Sequence, residues 1–173
     1  MTNTFTVTPD LYATKGNRFA HYIVDFIIIL LVFWGIIIGF VFLFYSFAED
    51  TSSVDSFLSD MENTNAFLDR IITAVIFSLF YFAIEFLTKG RSIGKYITKT
   101  KVVLEDGSAP SANDYLKRSF SRMIPFEPFS FLGAEGRGWH DTISKTYVVD
   151  IEKFEAKKKS QDELEQIGVA QDI

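Results

Sequence analysis

The chain of 173 residues contains no cysteine and only two histidines, His21 and His140. Without cysteine there is no disulfide, no thiolate metal site and no cysteine nucleophile. Two histidines are too few for a histidine-based metal centre, so we expect no metal and no cofactor. Gly94-Lys95 lacks the Walker spacing, and no set of residues supplies a nucleophile or a phosphate loop. We therefore expect no enzymatic activity.

Charged residues are missing from two long stretches. Phe26–Ala48 contains no Asp, Glu, Lys, Arg or His, and the second segment, Ala66–Thr88, carries charge only near its ends and contains the uncharged run Ile71–Ile84. A bilayer core about 30 Å thick needs roughly 20 apolar residues in a helix. A soluble helix of this length would show a polar face. The two segments predict membrane spans at about 24–48 and 66–88, and the 19 phenylalanines fit a chain partly dissolved in lipid.

Basic residues are missing from the loop between the spans, Glu49–Asp69, which carries six acidic residues. Lys15 and Arg18 precede the first span, and several basic residues follow Thr88. The positive-inside rule therefore predicts a hairpin with both termini in the cytoplasm and the acidic loop outside. Residues 1–16 lack the basic start of a secretory signal, so the first span is expected to be retained.

Small residues recur at a spacing of four in both spans. Gly35 and Gly39 form such a pair in the first span, and Ala74 and Ser78 form one in the second. Pairs of this kind allow two helices in a membrane to approach closely. We expect the two pairs to pack on each other, or Gly35 and Gly39 to contact a second copy or another membrane protein.

A polar helical face leads into the first span. Arg18, His21 and Asp25 are three, four and seven residues apart, so they share one side of a helix. In one interpretation Arg18 snorkels to the interface and Asp25 interacts with the helix dipole. In the other, an ionisable residue faces the interior of a bundle and marks a functional or partner-binding point.

A basic juxtamembrane module occupies 89–150 and is expected to lie in the cytoplasm. Tyr96–Leu104 is typical of a strand, and Ser111-x-x-Asp114 resembles a capping box that opens a helix. One face of that helix is apolar (Leu116, Phe120, Met123, Ile124) and the other is polar (Lys117, Arg118, Ser121, Arg122). We expect it to lie in the inner-leaflet interface with its basic residues on anionic lipids. The alternative is a helix that packs on the spans with its charges in water.

Two stretches of the module are similar to each other. Gly90–Val103 aligns without gaps to Gly136–Val149, with seven of fourteen positions identical. Two copies are too few for a solenoid. They could pair as a small sheet, which would place Lys95 and Asp141 at equivalent positions; chance similarity of short Lys, Thr and Val strings is the alternative. The charged tail, 151–173, is expected to be a solvated helix or disordered.

The motifs of residues 14–150 resemble those of the RDD family of bacterial membrane proteins. The first consists of Arg18, Ala20, Ile23 and Asp25 directly before a span, the second of Gly90-x-x-x-Gly94-Lys95, and the third of Trp139-His140-Asp141 with Val148-Val149. The family is named for one arginine and two aspartates, which this resemblance places at Arg18, Asp25 and Asp141. It implies a single membrane domain over 1–150, and suggests ion or solute transport for some members and accessory roles for others.

The chain departs from the family pattern at Met123–Gly133. Many members have a third hydrophobic segment there, whereas this stretch is short, is broken by two prolines and contains Glu127. It is too short to span, so we expect an interfacial wedge or a shallow re-entrant loop. Without a third span, Asp141 stays on the same side of the membrane as the other two signature residues, Arg18 and Asp25. The candidate supporting residues, which are His21, Glu85, Lys95 and His140, lie on that side as well.

These observations favour an accessory or regulatory membrane protein whose partners are the lipid bilayer and another membrane protein or a second copy, with no nucleic acid. The alternative is an oligomeric transporter that uses Arg18, Asp25, Glu85 and Asp141. Neither apolar run contains an ionisable group at its centre, whereas ion pathways usually need one. Two spans also cannot enclose a pathway without forming an oligomer.

Overall fold

The computed structural model describes residues 5–47, 50–133 and 136–171, and its regular structure is mostly helical. Seven helices are α1 (Lys15–Phe47), α2 (Ser52–Glu62), α3 (Ala66–Leu87), α4 (Ile93–Ile97), α5 (Ala112–Ser121), α6 (Trp139–Ser144) and α7 (Ile151–Gln171). Two strands are β1 (Thr100–Leu104) and β2 (Thr146–Asp150), and short 3-10 helices form at Pro9–Leu11 and Glu127–Leu132.

Helices α1 and α3 are the two described helices long and apolar enough to cross a membrane. Helix α1 has 33 residues and begins at Lys15, nine residues before the predicted span, because the polar lead-in continues the same helix. Asn65 caps the start of helix α3, and its side chain accepts a hydrogen bond from the Phe67 N–H group at 2.9 Å. Ala48, where the first predicted span ends, lies outside the described residues.

The two similar stretches form the same short helix and strand twice. Strands β1 and β2 pair antiparallel with Val102 opposite Val148, positions that are equivalent in the alignment. Each strand follows a lysine in the left-handed region, Lys99 at φ 51° and Lys145 at φ 53°. The two copies are thus related by a local two-fold axis through the sheet, and Lys95 and Asp141 occupy equivalent helical positions on α4 and α6.

The N-terminal segment and the tail cover the two-stranded sheet. The Val7 N–H group donates to the Glu105 carbonyl oxygen at 2.8 Å, and the Ala13 N–H group donates to the Val148 carbonyl oxygen at 2.9 Å. Helix α7 starts directly after β2 and buries Phe154 against Phe5. Of the two predicted states of the tail, the described part is a helix.

The small-residue pairs of the two long helices do not pack on each other, so that prediction is wrong. A Cβ atom added at Gly35 or Gly39 would meet nothing within 4 Å. The space between the helices is filled by aromatic rings, with the centroids of Phe33 and Phe77 5.8 Å apart. Gly35 lies two residues, about 200°, from Phe33 around α1, so it faces away from α3. Ser78 is buried and, with Ala74, lies near Tyr22 and Phe26 instead.

Gly94 of α4 lies against the backbone of α1. A Cβ atom there would lie 2.5 Å from the His21 carbonyl oxygen and 3.0 Å from Asp25 Oδ1. Any side chain therefore forces α4 away from α1.

We predict that Gly94→Ala lowers the thermal unfolding temperature of the detergent-purified protein, because the added methyl group meets backbone atoms that cannot move aside. The matched control is Gly35→Ala, which adds the same methyl group where nothing is within 4 Å and should leave the monomer's unfolding temperature unchanged. Equal unfolding temperatures for the Gly94→Ala variant and the wild type would contradict the close packing of α4 on α1.

Candidate functional site

One face of α1 is polar and buried at its N-terminal end. Arg18, His21, Asp25 and Ile29 are 6 % exposed or less, and their spacing of three, four and four residues places them on one side of the helix. Of the two interpretations of this face, the structure matches burial in the interior, because the Arg18 guanidinium contacts Asp141 and does not snorkel.

Asp25 holds the start of α4. Its Oδ1 atom accepts a hydrogen bond from the Gly94 N–H group at 2.8 Å, and its Oδ2 atom accepts one from the Ser92 hydroxyl group. Ser92 is itself the N-cap residue of α4. A carboxylate that accepts hydrogen bonds at the start of a helix satisfies N–H groups that the helix leaves free. Asp25 therefore joins α1 to the first copy of the repeat.

Glu85, at the end of α3, is fully buried among three cationic side chains. Its Oε2 atom accepts a hydrogen bond from Arg118 Nε at 3.0 Å, its Oε1 atom lies 3.4 Å from Arg122 Nη2, and Lys95 Nζ contacts Oε1. Burial lowers the pKa of Lys95 to about 8, although Glu85 acts in the opposite direction. Lys95 thus remains charged at neutral pH and ties α4 to α3.

Asp141, on α6, binds two guanidinium groups. Arg18 contacts its Oδ2 atom and Arg118 contacts its Oδ1 atom, while the Gly138 N–H group donates to Oδ2 at 3.1 Å. Burial alone would raise the pKa of Asp141, but Arg118 and Arg18 outweigh it and hold this pKa well below its usual value. Arg118 bridges Asp141 and Glu85, so α5 joins the second copy of the repeat to α3.

The imidazole ring of His140 lies between two carboxylates. Its Nδ1 atom contacts Glu127 Oε1, and its Nε2 atom lies 3.3 Å from Asp141 Oδ1. Burial lowers the pKa of His140, and Asp141 offsets this only in part. Burial is the largest single influence and acts to raise the pKa of Glu127, but the hydrogen bonds with His140 and the nearby charges together outweigh it, and the pKa falls to about 2. Glu127 therefore fixes the proline-flanked segment to α6.

We call these groups the charged cluster. It contains four cations and four anions, so its formal charge is zero when both histidines are neutral; its members are Arg18, Lys95, Arg118, Arg122, Asp25, Glu85, Glu127 and Asp141, with His21 and His140 beside them. Each carboxylate contacts a cation or a hydrogen-bond donor from another element. Removing one partner from a buried ion pair typically costs about 3–5 kcal/mol, because the other charge stays buried without compensation.

All seven predicted polar residues lie in or beside the charged cluster, namely Arg18, His21, Asp25, Glu85, Lys95, His140 and Asp141. The predicted orientation of α5 is wrong. Arg118 is fully buried, whereas Leu116 and Phe120 face outward together with Lys117, so Arg118 points neither to lipid head groups nor to water. The reason is that Glu85 and Asp141 together need a cation that reaches both.

Sequence reasoning missed Arg118, Arg122 and Glu127 as members of the cluster. One signal was available, because Glu127 is an isolated carboxylate in an otherwise apolar, proline-broken stretch. Arg118 and Arg122 carry no such signal, since two arginines four residues apart are equally typical of a solvated helix face. Among the described residues, no group of three His, Asp or Glu side chains is arranged to hold a metal ion.

In a comparison with protein-family models, the model of the RDD family matches residues 12–145. No curated protein and no solved structure matches the chain. The matched range includes α1, α3, both short helices of the repeat and every member of the charged cluster.

We predict that acidification destabilises the protein from about pH 6.5 downward. The folded-state pKa of His140 lies below its ordinary value of 6.5. As the pH falls, the unfolded chain therefore binds this proton before the folded chain does, and the free energy of unfolding decreases. The lowered pKa of Glu127 adds a second loss between pH 4.5 and about 2. The measurement is the unfolding temperature in detergent between pH 8 and about pH 2.

The matched control is His140→Gln, which keeps a hydrogen-bond donor for Glu127 but does not titrate. This variant should show a smaller decline near pH 6.5, because the buried His21 still takes up its proton in the unfolded chain, and should keep the decline below pH 4.5. An unfolding temperature of the wild type that rises between pH 7 and pH 5 would contradict the buried, uncharged state of His140.

Proposed function

Because the chain belongs to the RDD family, we propose that it is an integral protein of the bacterial cytoplasmic membrane with an accessory, regulatory or assembly role. Two apolar helices support the membrane location. The proposed orientation places both termini in the cytoplasm, because the start of α1, the end of α3 and the sheet meet at one end of the hairpin, where the basic residues of the sequence are concentrated.

One observation supports the accessory role: the ion pairs of the charged cluster hold helices of the chain to one another. The Glu85 carboxylate on α3 contacts Lys95 of α4 and Arg118 of α5, and Asp141 on α6 contacts Arg18 of α1. A group that moves an ion must release its partners and meet water during the cycle. These groups are buried and paired across five helices, which is the arrangement of a structural joint.

A transporter is the second candidate, and a cavity favours it. The cavity, of about 150 Å³, lies between α1, α3 and the segment 122–128. Three of its lining residues have a buried polar atom with no hydrogen-bond partner among the described residues: Tyr81 Oη, Arg122 Nε and Glu127 Oε2. A small polar solute could satisfy them. Since two helices cannot enclose a pathway, this candidate requires an oligomer.

A flux measurement separates the two candidates. We predict that purified protein in sealed vesicles shows no saturable flux of Na⁺, protons or amino acids, because the cluster is closed by its own ion pairs. The protein isolated from native membrane in mild detergent should instead carry a second copy or another membrane protein in a fixed ratio, measured by mass spectrometry.

Two variants make the result specific. Asp25→Asn weakens a contact of the cluster, and Tyr81→Phe removes only the unpartnered hydroxyl group of the cavity. A saturable flux that is lost in either variant while its unfolding temperature is retained would establish the transporter and overturn the accessory role. Isolation of a partner-free monomer would also contradict the accessory role.

A further inference from the structure

The short helices of the repeat have their polar sides inward and their apolar sides outward. On α4, Gly94 and Lys95 are buried, whereas Ile93, Tyr96 and Ile97 are exposed. Such a helix in water would have the opposite arrangement, because burial of a lysine costs free energy and exposure of an isoleucine gains none. The outward side of α4 is therefore suited to an apolar medium.

The second copy of the repeat has the same arrangement. On α6, His140 and Asp141 are buried, whereas Trp139 and Ile143 are about half exposed. Trp139 and Ile143 are the alignment equivalents of Ile93 and Ile97. The local two-fold axis thus places two equivalent apolar surfaces on different sides of the module.

The connecting segment between the copies continues this surface. Leu116 and Phe120 of α5 are exposed while Arg118 is buried, and in the 3-10 helix Glu127–Leu132 the ring of Phe129 is exposed while Glu127 is buried. Phe126, in the left-handed region at φ 65°, is 77 % exposed. We call these outward residues the outer apolar face; its members are Ile93, Tyr96, Ile97, Leu116, Phe120, Ile124, Phe126, Phe129, Leu132, Trp139 and Ile143.

We propose that the outer apolar face is immersed in the inner leaflet, among the part of the acyl chains that lies next to the head groups. The charged cluster then lies within the depth of the bilayer, where protein encloses it and lipid encloses the protein. This inference rests on the membrane location in the proposed function. It reverses the expected orientation of α5, in which the basic side met the lipid.

Lipid is the occupant because the face extends over both copies of the repeat and over the segment between them. Helix α4 packs beside α1 and helix α5 packs beside α3, so the face continues the apolar surfaces of both long helices. A single protein partner would cover one of these sides, whereas acyl chains cover both. An exposed lysine also follows each repeat helix before its strand begins; these are Lys99, whose Nζ atom lies 2.6 Å from Glu152 Oε1, and Lys145. Lysines at the edge of an apolar face are placed to meet anionic lipid head groups.

The two tryptophans of the chain provide the test. Trp34 lies in the middle of α1 and Trp139 lies on the outer apolar face. Trp34→Phe leaves Trp139 as the only indole, and Trp139→Phe leaves Trp34. Both variants are reconstituted in phosphatidylglycerol-containing vesicles with lipids brominated either near the glycerol backbone or near the chain end, and acrylamide serves as the aqueous quencher.

We expect Trp139 to lose most of its emission to lipid brominated near the glycerol backbone, to emit at short wavelength and to resist acrylamide. Quenching by acrylamide without quenching by bromolipid would place the face in water and overturn the proposal. Protection from both quenchers would mean that protein covers the face, which also overturns it. If Trp34→Phe fails to fold, the difference between wild type and Trp139→Phe gives the same signal.

Trp34 separates this proposal from the proposed function. Quenching of Trp34 by lipid brominated near the chain end reports insertion of α1 itself. If Trp34 is quenched and Trp139 is not, the membrane location stands and only the lipid contact of the outer apolar face fails. If neither is quenched by any bromolipid, the membrane location fails as well.

Discussion

The double contact of Arg118 with Glu85 and Asp141 is the interaction on which the rest of the structure depends. Glu85 ends one long helix, and Asp141 belongs to the second copy of the repeat, which Arg18 of the other long helix also contacts. The guanidinium group of Arg118 reaches both carboxylates at once because its donors form a planar fork. Two apolar helices with few mutual polar contacts thereby acquire a fixed joint at one end.

The joint explains why the polarity of the module is inverted. Four cations and four anions can be buried together only if elements surround them on every side, and the repeat supplies two short helices for this purpose. Once the polar sides of these helices face the cluster, their apolar sides are left to face outward. An apolar surround in turn strengthens the ion pairs, because the local dielectric is low. The cluster and the lipid contact that we propose therefore support each other.

Much of this architecture could be predicted from local sequence. The apolar runs indicated α1 and α3, and the alignment indicated two equivalent copies with Lys95 and Asp141 in matching positions. The helix-packing prediction failed at Gly35 because small-residue spacing does not specify which side of α1 faces α3; the rings of Phe33 and Phe77 decide that. The role of Arg118 could not be predicted from the sequence, because a basic amphipathic helix has the same residue pattern whether its charges face water, lipid or buried carboxylates.

The most direct test of the central claim is a double-mutant cycle on Arg118 and Asp141. Unfolding free energies are compared in detergent for the wild type, Arg118→Met, Asp141→Asn and the double variant. We predict that each single change costs about 3–5 kcal/mol. The double variant should cost less than their sum by roughly 0.5–3 kcal/mol, because the second change removes a charge that the first left unpaired. Strictly additive costs would show that the two groups do not interact, and would contradict the charged cluster as the joint of the fold.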